Sequence, residues 1–222
     1  MIEHLKKLQE ENPHIHIFDV RDNEFKKYGN VITQGTKEIC HLTKACLEMP
    51  SEGSAYQAAV ESLDTSEWAA RFRRTVCGGL DEQIGVCYGH SDTLNALEWH
   101  TCSEFNVAVT EMVLMLAKKS DMDAQNRVDS GNIKAFYLHE GDMVEVYSDT
   151  LHFCPCEVVK SGFISIVGLQ RGTNLPLEDA EKEGLLWAKN KWLIAHEENM
   201  QLLHRGAYAG IFGENWKLKT ID

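Results

Sequence analysis

The chain has 222 residues, 43% hydrophobic and 25% charged, an ordinary globular composition long enough to bury a core without staples. Its formal net charge is -12 and its basic residues cluster only at Arg71-Phe-Arg-Arg74, which excludes a phosphate-backbone partner such as nucleic acid. No apolar run approaches the roughly 20 residues that span a bilayer, and Met1-Ile-Glu-His-Leu-Lys-Lys7 leads into charge rather than a signal-peptide core, so a cytoplasmic protein without membrane contact is expected.

Taken in order, Ile2 to Glu11 places Ile2, Leu5 and Leu8 at helical spacing and ends at Asn12-Pro13, which predicts a short helix. His14-Ile-His-Ile-Phe18 alternates as a strand does; His14 and His16 have ligand spacing but no third ligand nearby, and are read as structural. Asp22 to Tyr28 predicts one or two helical turns, and Val31 to Thr33 a short strand. Lys37 to Met49, with Ile39, Leu42, Cys46 and Leu47, predicts a helix stopped by Pro50. Ser54 to Ser62 reads as an alanine-weakened strand. Asp64-Thr-Ser-Glu67 resembles a capping box, with Asp64 at the N-cap of a helix running through Val76 and closed by Cys77-Gly-Gly79.

From Gln83 the texture changes to strands separated by turns: Ile84 to Tyr88, Leu94 to Thr101, Val107 to Leu116, Ile133 to Leu138, Met143 to Tyr147, Leu151 to Val159 and Phe163 to Leu169. So many strands in so short a span predict a barrel or sandwich, with the polar loop from Lys118 to Gly131 joining its halves. Pro176-Leu-Glu-Asp179 starts a predicted helix, Leu185 to His196 is apolar and ambiguous between helix and strand, and the tail with Gly206, Gly210 and Gly213 reads as irregular. The cysteines number seven, an odd count, and Cys46, Cys77 and Cys87 lie in apolar stretches, which fits reduced buried thiols; Cys154-Pro-Cys156 matches no redox or zinc spacing and is read as packing.

Chemistry concentrates in Glu98-Trp-His-Thr-Cys-Ser-Glu104. On a strand Glu98, His100 and Glu104 share a face, giving three ligands on one wall, and His152 supplies a fourth if a barrel brings it opposite. A closed polar pair of His100 and Glu98 without metal is the plainer alternative, but burying two carboxylates beside an imidazole without a cation is costly. Imidazole and carboxylate together suit a divalent first-row metal (Zn, Mn, Fe or Ni) better than calcium. Glu145 and Tyr147, two apart, share a face and are substrate-binding candidates if they point inward; His90, beside Gly89, is a third at a turn near the barrel mouth.

The spacing Glu98-x-His100-x3-Glu104 resembles the first cupin motif with Glu98 in place of its leading histidine, and Gly141 and His152 match the ends of the second. The inner positions of the second motif depart from it, at Tyr147 and Asp149, as do the flanking positions Asp92, Glu111 and Cys156. The longer stretches Leu94 to Thr110, Leu151 to Cys156, Arg171-Gly-Thr-Asn174 and Asn190 to His196 resemble a bacterial cupin-like family filed as a domain of unknown function. The resemblance covers nearly the whole chain and implies a mainly β fold, a cupin-type jelly-roll barrel in a single domain: a mixed α/β lead-in over residues 1–80, the barrel over 81–172, and an extension over 173–222 packed on it. It brings no settled reaction.

Two uses of such a site differ in kind. In the first, a metal-dependent enzyme acts on a small polar substrate, carbohydrate-like or a hydroxy acid, with Glu98 as the base that abstracts a proton, as isomerases, epimerases and lyases require; dioxygenase chemistry is the less favoured enzymatic alternative. In the second, the chain binds without turnover, as a sugar or metal sensor, or is a structural cupin. A homodimer is expected, with Leu185 to His196 as the candidate pairing surface.

Overall fold

The computed structural model describes residues 2–177 and 183–221. Helix α1 (Ile2–Glu11) leads to β1 (Ile17–Asp19), a 3-10 turn (Asn23–Lys27) and β2 (Gly29–Val31). Then come α2 (Lys37–Cys46), β3 (Ser54–Gln57), α3 (Glu61–Asp64) and α4 (Glu67–Thr75). The strands β4 (Glu82–Gly89), β5 (Ala96–Trp99), β6 (Glu104–Ala108), β7 (Met112–Lys118), β8 (Val128–Asp129), β9 (Lys134–Leu138), β10 (Met143–Val146), β11 (Thr150–Leu151), β12 (Cys156–Glu157) and β13 (Phe163–Gln170) follow. The C-terminal part adds β14 (Leu186–Ala188), β15 (Lys191–His196), α5 (Met200–His204) and β16 (Tyr208–Phe212). The helix read from Pro176-Leu-Glu-Asp179 falls largely on residues outside those described.

Side-chain alternation sorts these strands into layers. One sheet runs β2-β10-β6-β13-β4-β3, and a second runs β1-β9-β7-β11, with β12 also on β7. On β7, Met112, Leu114 and Leu116 join Phe136, Leu138, Val144, Val146 and Phe163 in one apolar cluster between the two sheets. The alternate residues Val113, Met115 and Ala117 pack the other way, with Leu8, Ile194, Ile211 and Leu218. On the first sheet Phe105, Val107, Ile84, Val86, Ile164 and Ile166 face outward against Ile39, Leu63, Trp68 and Phe72 of the helices. The Phe72 ring stacks on Trp68 and meets Phe105 edge-on. The result is a jelly-roll barrel, helices covering one outer face and a third sheet, β14-β15-β16-β8 with β5 on β15, covering the other. Among the described residues no helix is long and apolar enough to cross a membrane.

Several elements differ from expectation for physical reasons. Val107 to Leu116 is not one strand: β6 and β7 lie in different sheets and change over at Val109 to Glu111. Both are buried on both faces, so the apolar run continues through the change without a signal. Leu151 to Val159 splits into β11 and β12, both on β7, around the segment that carries Cys154-Pro155. The N-cap of α4 is Ser66, whose Oγ accepts from the Ala69 amide, rather than Asp64. Asp64 instead accepts from the Ile84 amide and contacts Arg73 and Arg171. Leu185 to His196 resolves into β14 and β15 around a turn in which Asn190 has φ 54°. Leu193 to His196 are buried, so the apolar residues at this end of the stretch are covered by the chain's own elements. The tail is not irregular, since β16 pairs in parallel with β15 and β8.

Candidate metal centre

Glu98, His100, Glu104 and His152 form a group, all buried, whose ligand atoms lie within 4.8 Å of one another. They converge from different elements. Strand β5 ends at Trp99, residues 101–103 turn, and Glu104 opens β6 in another sheet. The single-strand wall read from the sequence is therefore replaced by two strands meeting at a corner. His152 joins them through the backbone: its amide donates to the Glu98 carbonyl (2.9 Å), and the Glu98 amide donates back to its carbonyl (2.6 Å). Such a reciprocal pair puts the two side chains next to each other on one face.

The hydrogen bonds fix which nitrogen of each imidazole faces the group. His100 Nδ1 donates to the Asn190 carbonyl at 2.8 Å, and His152 Nδ1 donates to the Thr150 carbonyl at 3.2 Å. Both Nε2 atoms are buried without a hydrogen-bond partner among the described residues. They stand 3.4 Å and 3.2 Å from Glu104 Oε2 without the alignment of a hydrogen bond. An imidazole held by Nδ1–H with Nε2 aimed into a carboxylate cluster is oriented for a divalent metal, which binds its neutral form and displaces any proton at Nε2. Glu104 is oriented in turn: Asn106 Nδ2 donates to its Oε1 (3.0 Å), and Ser165 Oγ donates to Asn106 Oδ1 (3.0 Å). The residues present fit a divalent transition metal, with His100, Glu104 and His152 as ligands and Glu98 beside them.

The electrostatics favour a cation here. Burial opposes ionisation of Glu104, yet the His152 and His100 imidazoles against it hold its carboxyl well below the usual range. Burial likewise opposes a charge on His152, and the Glu104 carboxylate overrides this and raises its pKa. Glu98 is placed differently. Its Oε1 lies 3.9 Å from His100 Nε2, while its Oε2 contacts the Lys191 ammonium from β15.

The group opens into a cavity of about 420 Å³ lined by Glu98, Glu104 and His152 together with Tyr56, Cys87, Cys154, Asn174, Trp187, Lys191 and Arg205 among others. The substrate-binding candidates lie elsewhere. Glu145 is in register with Phe105, whereas Val146 is in register with Glu104, so Glu145 faces the opposite side of the sheet and accepts from Ser103 Oγ. Tyr147 sits under the Lys118 ammonium, and His90 Nδ1 bonds Glu157 at 2.7 Å; neither they nor Glu145 line the cavity. His14 and His16 are exposed and belong to no ligand group among the described residues. Cys156 is core and Cys154 packs against the cluster between the sheets, as expected, but Cys154 also lines the cavity with its thiol 3.8 Å from that of Cys87. Asn106 was within reach of sequence reasoning, being two residues beyond Glu104 on the same strand. Lys191 and Arg205 were not, because they arrive from the C-terminal extension.

Two facing sheets, antiparallel except for the parallel β1–β9 pair, close over an inward His and Glu group and make a jelly-roll barrel with a site fit for a metal. The chain belongs to the family described as Domain of unknown function (DUF4867), whose model matches residues 17–216. No match was found among curated proteins. Solved structures with slight likeness include a variant of the oxalate decarboxylase of Bacillus subtilis, 9% identical with a TM-score of 0.33, over 56% of this chain and 27% of that one. Another is the salicylate 1,2-dioxygenase of Pseudoaminobacter salicylatoxidans with gentisate, 12% identical with a TM-score of 0.30, over 61% of this chain and 30% of that one. This chain thus matches less than a third of the length of either.

Proposed function

We propose that this protein is a metal-dependent enzyme that abstracts a proton from a small hydroxylated substrate, a carbohydrate or hydroxy acid, in isomerase, epimerase or lyase chemistry. The observation that carries the reading is the division of labour within the group: two imidazoles held by Nδ1 with unpartnered Nε2 atoms, beside a carboxylate that also borders the cavity. A divalent ion bound by His100, Glu104 and His152 would supply Lewis acidity toward a carbonyl or hydroxyl oxygen. Glu98 borders the cavity and is the base that takes the proton from the adjacent carbon. Lys191, in contact with Glu98 Oε2, fixes the carboxylate's orientation and leaves Oε1 for the proton. The apolar walls contributed by Phe153, Pro155, Val167 and Leu193 limit water around that step.

A second reading, binding without turnover, is favoured by the closeness of all four ligand atoms, because four protein ligands close a tetrahedral ion such as zinc and leave it no open position. Glu98→Gln separates the two. Assayed against a panel of aldoses, ketoses and sugar acids, the variant is expected to keep its metal and lose turnover by about a hundredfold or more. Loss of the metal together with activity would make Glu98 a ligand and remove it as the base.

A further inference from the structure

We propose that the substrate of this cavity carries an anionic group, a carboxylate or a phosphate, and that Arg205 binds it with Lys191 alongside. The inference rests on the function proposed above, since it names the substrate class of the same cavity. The charges lining the cavity favour an anion. The carboxylates among the described lining residues are Glu98 and Glu104, and the cations are Lys191 and Arg205. A divalent metal held by the group offsets the two carboxylates, so that, although Lys191 touches Glu98, the charges of Lys191 and Arg205 remain in excess. In a chain whose formal net charge is -12, such a locally positive cavity is an exception to its surroundings and draws anions.

Each cation is also held ready for an anion. The Arg205 guanidinium lies over the Trp187 ring, 5.4 Å from its centroid, and both residues line the cavity. The ring steadies the side chain without neutralising it, and no carboxylate among the described residues pairs with it. A stacked guanidinium keeps its planar fork of donors, which matches two oxygens of a carboxylate or phosphate. The Lys191 side chain is 15% exposed and contacts Glu98 through one oxygen, and an ammonium has three donors to share. A third feature points to the rest of the molecule. Asn174 Oδ1, also on the cavity wall, is buried without a hydrogen-bond partner among the described residues, and a substrate hydroxyl would satisfy it. The class defined is a hydroxylated carboxylate or a sugar phosphate.

The test is calorimetric titration of the metal-loaded full chain with probes that share a skeleton: sorbitol, gluconate and glucitol 6-phosphate, with inorganic phosphate and formate as minimal anions. At least one anion is expected to bind about tenfold or more tighter than sorbitol, and whether gluconate or glucitol 6-phosphate does so tells carboxylate from phosphate. Arg205→Gln, at an exposed position just beyond α5, is expected to remove about tenfold of that affinity, and Arg205→Lys to restore part of it, with metal content unchanged in both. Equal binding of sorbitol and the anions, no binding of any anion, or indifference of anion affinity to Arg205→Gln would overturn the proposal. Because binding is read rather than turnover, a chain that binds these anions yet turns over nothing would sink the enzymatic reading and leave this one standing.

Discussion

Manganese, iron, nickel or zinc added to chelator-stripped protein is expected to raise its melting temperature, and His100→Ala or His152→Ala to abolish that rise. An ion that binds only the folded chain, present at about a thousandfold over its dissociation constant, stabilises by about 4 kcal/mol. For a chain of this length that is roughly 8–16 °C. The shift requires both imidazoles because each presents Nε2 to the group while its Nδ1 is committed to a backbone carbonyl, Asn190 for His100 and Thr150 for His152. Each substitution also leaves a small cavity, so the stripped variants will melt lower than the stripped parent. The metal-dependent difference, measured within each variant by calorimetry, is therefore the quantity to compare. An unchanged shift in both variants would place the bound ion somewhere other than this corner of the barrel.

Gly85→Val is expected to cost about 3 kcal/mol or more and to disorder one wall of the cavity. Any side chain at this position of β4 would place its Cβ 2.3 Å from the Gln57 carbonyl oxygen and 2.7 Å from that of Ala58. Those are backbone atoms that cannot swing aside, so the end of β3 must move off β4. The same strand supplies Ser54, Ala55 and Tyr56 to the cavity. The drop in melting temperature, roughly 6–12 °C, should be accompanied by raised hydrogen exchange confined first to Ser54–Gln57. A variant that melts with the parent and keeps those amides protected would show that the approach of Gln57 to Gly85 is not a constraint on the fold.

How much of this was legible beforehand differs by residue. Glu98, His100 and Glu104 were readable because their spacing is local, and His152 because it closes the second motif, but the reason the four meet was not. The corner between β5 and β6 and the backbone pairing of Glu98 with His152 are tertiary facts. Glu145 shows the limit of period-2 reasoning: parity places it on the same face as Tyr147, but which face is inward depends on its register with Phe105. The β6 to β7 change of sheet was invisible because both strands are apolar on both faces. The turn between β14 and β15 had a signal in Asn190, a residue type that tolerates positive φ. Lys191 and Arg205 had none, since their meaning comes from the third sheet and α5 being brought over the mouth of a barrel built some ninety residues earlier in the chain.

Elemental analysis of untagged protein, beside the His100→Ala, His152→Ala double variant, tests the metal centre most directly. Close to one divalent transition metal per chain is expected in the parent and none in the double variant. Absence of metal from both, even after incubation with manganese, iron, nickel and zinc, would contradict it.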